Sequence, residues 1–319
     1  MKNNDSGMNR RSFLSTLGGL AAWGGLAVSD PPLFGTATVR PRLDEMHTKA
    51  IPSSGEEIPV IGLGTYITFN VGTNTRLRNN CADIMEVFFE RGGGMIDSSP
   101  MYGSSEEVIG YGLDRLDSAE SLFSATKIWT RRSSQGPVQI DDSLDLWRIR
   151  EIDLMQVHNL LNWQDHLETI REYKDEGIIR YSGVTTSHGR RHRELEQIMQ
   201  NESVDFVQLT YNVLDRQAEN RLLPLAKDRG IAVIANRPFR RKQLFHQFGN
   251  DPLPDWVSEI DVENWAQFFL KFIVSNPAIT CAIPATSQLE HLHENMGALY
   301  GKMPDEEQRR RMAEYVESL

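Results

Sequence analysis

The sequence predicts an α/β fold, a single (β/α)8 TIM barrel over 55–319. Three observations carry that prediction. Eight short apolar runs recur along the chain, amphipathic helical patterns lie between them, and 319 residues suit one large barrel. Strands alternating with helices imply parallel βαβ units, and eight such units close into a barrel more readily than they form an open sheet. In a barrel the chemistry belongs at the carboxyl ends of the strands.

The first run, PVIGLGT at 59–65, holds Gly62-Leu63-Gly64 but no third glycine three positions on, so it is a poor dinucleotide-fold loop. A helix follows, with Ile84, Met85, Phe88 and Phe89 on one face and Gly92 as its stop. The second run is GMIDS at 94–98; after it, Ser104 and Glu107 stand at capping-box spacing ahead of Val108 and Ile109. LFSATKIW at 122–129 is the third run, followed by a helix bearing Ile140, Leu144 and Trp147. DLMQVHN (153–159), YSGVTT (181–186), FVQLTYN (206–212) and IAVIANR (231–237) continue the alternation. Trp265, Phe268, Phe269 and Phe272 mark a strongly apolar helix before the eighth run, TCAIPAT at 280–286. The chain ends in an amphipathic helix within KMPDEEQRRRMAEYVESL, and no repeat or second domain interrupts this order.

With 39% hydrophobic and 24% charged residues the chain has the makings of an ordinary buried core. A formal net charge of -10 argues against a nucleic-acid partner, which demands clustered Lys and Arg. Short basic runs occur at Arg190-Arg191, read as a solvated helix start, and at Arg240-Arg241-Lys242. Cys81 and Cys281 are too few and too far apart for a metal site or a disulfide scaffold, and both read as buried hydrophobes.

Residues 1–29 have the layout of an export signal: Arg10-Arg11-Ser12-Phe13-Leu14 resembles the twin-arginine motif and precedes a short, glycine-diluted apolar stretch. That stretch is short for a membrane span, so no stable span is expected after export. Small-residue cleavage sites lie at Ala27-Val28-Ser29 and Thr36-Ala37-Thr38, and 30–54 is read as linker. The twin-arginine machinery carries folded proteins, so the expectation is a periplasmic protein with its cofactor loaded before export.

Asp97, Lys127 and His158 fall at the ends of the second, third and fourth runs, and Tyr102 just after the second. Alone, each also fits a helix cap, a snorkelling lysine, a core histidine or a packed ring. Together they place an acid, an ammonium, a phenol and an imidazole around one mouth. A neighbouring ammonium favours phenolate, so Lys127 is expected to lower the pKa of Tyr102, with Asp97 holding Lys127 charged and aimed. His158 would donate a hydrogen bond to a carbonyl oxygen gaining negative charge. These are parts for reducing a carbonyl, and the hydride must come from a nicotinamide.

In MIDSSPMYGSSEEVIG, SATKIW and MQVHN the chain resembles the aldo-keto reductase family, along essentially the whole barrel. The resemblance implies Tyr102 as general acid, Lys127 and Asp97 as its tuners, His158 as the group orienting the carbonyl, and NADPH as hydride donor. It further implies Gly64 and Thr65 beside the nicotinamide half, Gln208 and Thr185 at the carboxamide, and Ser287, His291, Glu294 and Asn295 around the adenosine half. Departures from the family pattern accompany this. Thr185-Thr186 stands for the usual Ser-Asn, Asn236 for a stacking tyrosine, and His291 for an arginine at the 2'-phosphate, which leaves NAD open beside NADP. Arg240, with Arg241 and Lys242, is expected to clamp the pyrophosphate. Tyr66, Met101, Trp129, Asn159 and Leu160 are expected to line a pocket for a small carbonyl substrate.

A different class of function remains open at this stage: a nucleotide-binding barrel used as a redox-sensing or interaction module with little turnover. A Schiff-base role for Lys127 is disfavoured, because Asp97 would keep it protonated. The resemblance implies a monomer.

Overall fold

The computed structural model describes residues 45–319; the segment read as a twin-arginine signal and most of the stretch read as linker lie outside the described residues. Ordered structure begins before residue 55. Strands β1 (Thr48–Ala50), in the last part of the expected linker, and β2 (Glu57–Pro59), at the start of the expected barrel, form an antiparallel hairpin. Its three-residue strands are too short to give a readable alternation.

Eight parallel strands follow: β3 (Leu63–Gly64), β4 (Met95–Asp97), β5 (Phe123–Ile128), β6 (Ile152–Val157), β7 (Ile179–Thr185), β8 (Phe206–Thr210), β9 (Ala232–Asn236) and β10 (Cys281–Ala282). They pair in chain order from β3 to β10. The barrel closes through a parallel bridge between Ile61 and Ala282, with Gly62 N–H donating to Ala282 O at 2.8 Å and Gly64 N–H to Pro284 O at 2.9 Å. All eight expected runs carry a strand, and the first and last are shorter than their apolar runs suggested.

Helices connect the strands on the outside: α1 (Thr75–Glu90), α2 (Ser105–Leu113), α3 (Gly136–Trp147), α4 (Trp163–Asp175), α5 (His192–Asn201), α6 (Leu222–Arg229), α7 (Gln243–Phe248) and α8 (Trp265–Val274). After the last strand come α9 (Leu289–Gly297) and α10 (Glu306–Ser318). In α1, Cys81, Ile84, Met85 and Phe88 face the strands as the i, i+3, i+4, i+7 spacing requires. Every residue of α8 is buried, which explains its run of aromatic residues. The capping box expected at Ser104 and Glu107 does not form. Ser104 Oγ instead receives Gly72 N–H and bonds Asn70, while Glu107 pairs with Arg78. A reciprocal box does open α10, between Asp305 and Gln308.

Inward-facing residues alternate along each strand, as the pleat requires. At the amino ends of the strands they are Met95, Phe123, Leu154, Tyr181, Phe206, Ile234 and Cys281, and the hairpin residues Ile51 and Ile58 join this apolar plug. Two or four residues further along the same faces stand Asp97, Lys127, Gln156, Thr185, Gln208 and Asn236, all buried. Six of the eight strands, β4 to β9, therefore change from apolar to polar on the way to one mouth.

Candidate active site

Register brings the chemistry together. Asp97 pairs with Ala125, and Lys127 lies two residues on, so both side chains enter the barrel on the same side of adjacent strands. Lys127 Nζ is 2.7 Å from each oxygen of Asp97 and 2.6 Å from Ser98 O. These three acceptors match the three hydrogens of an ammonium. Asp97 Oδ1 also receives the side-chain amide of Gln208 at 2.8 Å and that of Gln156 at 3.4 Å.

Tyr102 ends a short 3-10 turn (Pro100–Tyr102) capped by Ser99, whose Oγ accepts Met101 N–H. Its ring lies 5.4 Å from Lys127 Nζ, 5.7 Å from the His158 ring and 5.0 Å from the Tyr66 ring. The four expected catalytic residues thus share one cluster. His158 follows β6 directly and is fixed by a 2.8 Å hydrogen bond between Nδ1 and Ser99 Oγ. Burial, and then the Lys127 charge, pull His158 down to about 3, so the imidazole is neutral across the physiological range.

One electrostatic expectation is overturned. Tyr102 is not acidified by Lys127: burial, with the Asp97 carboxylate and Tyr66 adding to it, pushes the phenol well above its usual value. The physical reason is burial first, which outweighs the Lys127 ammonium 5.4 Å from the ring, with its hydrogens turned to Asp97 and Ser98 O. Burial itself draws Lys127 downward, with Asp97 opposing.

The expected cofactor positions divide into two groups. Gly64 serves closure, since a Cβ there would sit 2.9 Å from Ile283 O. Thr65 is fully buried; its hydroxyl donates to Asp97 O and accepts from Ser98 Oγ, joining the ends of β3 and β4. Thr185 Oγ1 accepts Asn159 N–H, and Gln208, beyond its bond to Asp97, is 3.4 Å from Asn236 Nδ2. Asn236, in the place of a stacking ring, joins a buried polar set by accepting from Thr210 and donating to Thr186 O. Within that set Thr186 Oγ1, and nearby Gln156 Oε1, are buried without a hydrogen-bond partner among the described residues.

The adenosine-side residues are more scattered. Ser287 lies before the cap of α9 instead of at its start, Asn295 is buried, and His291 is exposed. Glu294 is half-buried. Arg240 pairs with Asp215 at 2.9 Å, while Arg241 crosses the mouth to Tyr66, with Nη2 2.6 Å from the phenol oxygen and Cζ 4.9 Å from the ring centroid. Arg237, Arg240, Arg241 and Lys242 all hold left-handed backbone, the kind of conformation that concentrates at ligand sites.

A cavity of about 470 Å³ is lined by Trp129, Thr130, Arg131, Asn159, Leu161 and Arg191, which include the chain neighbour of His158 but none of the four clustered residues. Trp129 and Asn159, two of the residues read as substrate contacts, are among its lining, and Met101 and Tyr66 are partly open to solvent beside Tyr102. Leu160 does not line it, being packed in the core. Arg191, read as a solvated helix start, donates to Asn159 O and Leu160 O and so pins the loop that carries His158. The sequence reading missed Ser99 and the buried Glu106, whose Oε1 accepts from Thr126, Ser143 and Trp147 and ties α2 to β5 and α3. Among the described residues no cluster of His, Cys, Asp and Glu suits a metal ion, and no helix is long and apolar enough to cross a membrane.

Known proteins resemble this arrangement in sequence and shape. The NADH-specific methylglyoxal reductase of Escherichia coli is 27% identical, over 84% of this chain and 99% of its own. A holo aldo-keto reductase of Bacillus halodurans superposes with a TM-score of 0.70 at 19% identity, over 85% of this chain and 96% of its own. An aldo-keto reductase of Klebsiella pneumoniae in complex with NADPH gives 0.70 at 21% identity over the same shares. The family model described as the aldo/keto reductase family matches residues 60–314, from the barrel's closing edge into α10, and the chain belongs to that family.

Proposed function

We propose that the protein reduces small aldehydes or ketones to alcohols with NADPH, through Tyr102, Lys127, Asp97 and His158. The observation that carries this reading is the convergence of those four side chains on one mouth, with a neutral imidazole and a protonated phenol side by side. Its Escherichia coli relative makes methylglyoxal a natural member of the first substrate panel.

The residues present fit a nicotinamide nucleotide. Thr186 Oγ1 and Gln156 Oε1 are buried polar atoms in want of a partner, suited to a carboxamide, and Arg241 and Lys242 suit phosphate oxygens. Bound there, the nicotinamide supplies a hydride to the carbonyl carbon. The protein's own part is to accept the carbonyl oxygen. His158 donates a hydrogen bond to it as charge develops, and Tyr102 gives it a proton. The resulting phenolate is stabilised by the Lys127 charge, which Asp97 holds in place. The exposed His291 lacks the fork geometry that grips a 2'-phosphate, so NADH is expected to serve as well.

Tyr102→Phe removes the proton donor and keeps the ring. Turnover is expected to fall by roughly 10²–10⁴-fold, with nucleotide affinity nearly unchanged in a fluorescence titration. Turnover at the wild-type rate would remove Tyr102 as the acid. Tight nucleotide binding by the wild type with no reduction of any carbonyl would favour the redox-sensing or interaction module, a reading supported by Asp97's hold on Gln208 and by Asn236 in place of a stacking ring. We further propose export to the periplasm by the twin-arginine route and a monomeric state, the first resting on Arg10-Arg11-Ser12-Phe13-Leu14.

A further inference from the structure

A neutral imidazole carries one proton on two nitrogens, and the nitrogen facing a carbonyl oxygen must be the one that has it. At His158 the choice is made by what Nδ1 meets, and it meets Ser99 Oγ at 2.8 Å. Ser99 is fully buried, so its hydroxyl hydrogen has to find an acceptor inside the protein. Its oxygen already accepts Met101 N–H at 3.2 Å, and the acceptor within reach of its hydrogen is His158 Nδ1. With the proton on Nδ1 instead, Ser99 Oγ would face two donors and its own hydrogen would be buried without a partner.

We infer that Ser99 donates to Nδ1 of His158 and thereby fixes the tautomer with the proton on Nε2, which makes Ser99 a positioning residue for carbonyl reduction. This rests on the reductase reading above. The same hydroxyl caps the turn that ends in Tyr102. One serine therefore sets both the hydrogen-bond donor and the place of the acid, through two bonds with different partners. The depressed basicity of His158 agrees with a ring that stays neutral and whose tautomer therefore matters.

The test reads the tautomer directly. Long-range proton–nitrogen spectra of uniformly ¹⁵N-labelled protein at pH 8, with His158→Gln identifying the signals, distinguish an acceptor Nδ1 from a protonated one, without cofactor or turnover. The wild type is expected to show an acceptor Nδ1, Ser99→Ala a shift toward protonated Nδ1, and Ser99→Thr a return to the wild-type pattern. In parallel, Ser99→Ala should lower kcat by roughly ten-fold or more with KM little changed, less than the 10²–10⁴-fold of a whole acid–base partner, and Ser99→Thr should recover it. A wild-type Nδ1 that carries the proton overturns the inference by itself, even if neither variant folds. A tautomer unchanged in Ser99→Ala, or one that switches while kcat stays at the wild-type value, overturns it as well. If the wild type reduces no carbonyl at all, the reductase reading fails, and the spectra alone decide the hydrogen-bond assignment.

Discussion

At Lys127 every hydrogen of one ammonium is committed, two to Asp97 and one to Ser98 O, in a place closed to water. Lys127→Met should therefore do more than stop catalysis. It leaves Asp97 buried and unpaired, and a loss of about 3–5 kcal/mol in urea unfolding is expected. A variant as stable as the wild type would show that water or Gln208 replaces the ammonium. His158 gives a pH dependence of definite sign. Its folded value near 3 lies below the ordinary 6.5, so the native state binds fewer protons between those values than the unfolded chain does. Its contribution to stability is complete above pH 6.5 and is lost as pH falls toward 3. Unfolding midpoints of the wild type and His158→Gln should converge as pH drops through that window. The clustering of the four proposed catalytic residues was legible because each stands at or just past a strand end, where a two-residue period decides which way it points. The strengthened protonation of Tyr102 was not legible, because it depends on burial, with Asp97 and Tyr66 nearby.

Among the elements, close approach sets the tightest limits. Gly110 in α2 faces α3 so nearly that a Cβ would lie 2.0 Å from Leu146 O. Gly110→Ala must push the two helices apart, and a destabilisation of roughly 1–3 kcal/mol is expected from the shift of the urea midpoint. An unchanged midpoint would mean that α2 slides freely over α3. Strand existence was plain in the sequence because β-branched and apolar residues cluster in eight runs. Local end chemistry was less plain. Ser104 and Glu107 have capping-box spacing, yet Asn70 and Gly72 in the preceding loop compete for the serine. The contact between Arg241 and Tyr66 joins residues 175 positions apart, and nothing local in either stretch announces it. Likewise the first strand of the hairpin passed for linker, since three residues are too few to show a period.

For the whole molecule, export and closure are the properties to test. Changing Arg10 and Arg11 together to Lys should keep the protein in the cytoplasm, as fractionation of cells would reveal; continued appearance in the periplasm would remove the twin-arginine proposal. At the floor of the barrel, Glu56 ties the hairpin to Arg180 and Tyr181, and Lys49 donates to the carbonyls of Val274, Asn276 and Ile279. These last three acceptors lie 225 to 230 positions further along the chain. The hairpin is thus made early in synthesis, and its Lys49 has to wait for nearly the whole chain before docking is complete. Until then Ile51, Ile58, Phe123 and Phe206 stand open to water, a sticky surface that invites aggregation or a chaperone. A nascent chain stopped before α8 keeps that surface exposed, so a docked hairpin amounts to a record that translation has passed the last barrel helix.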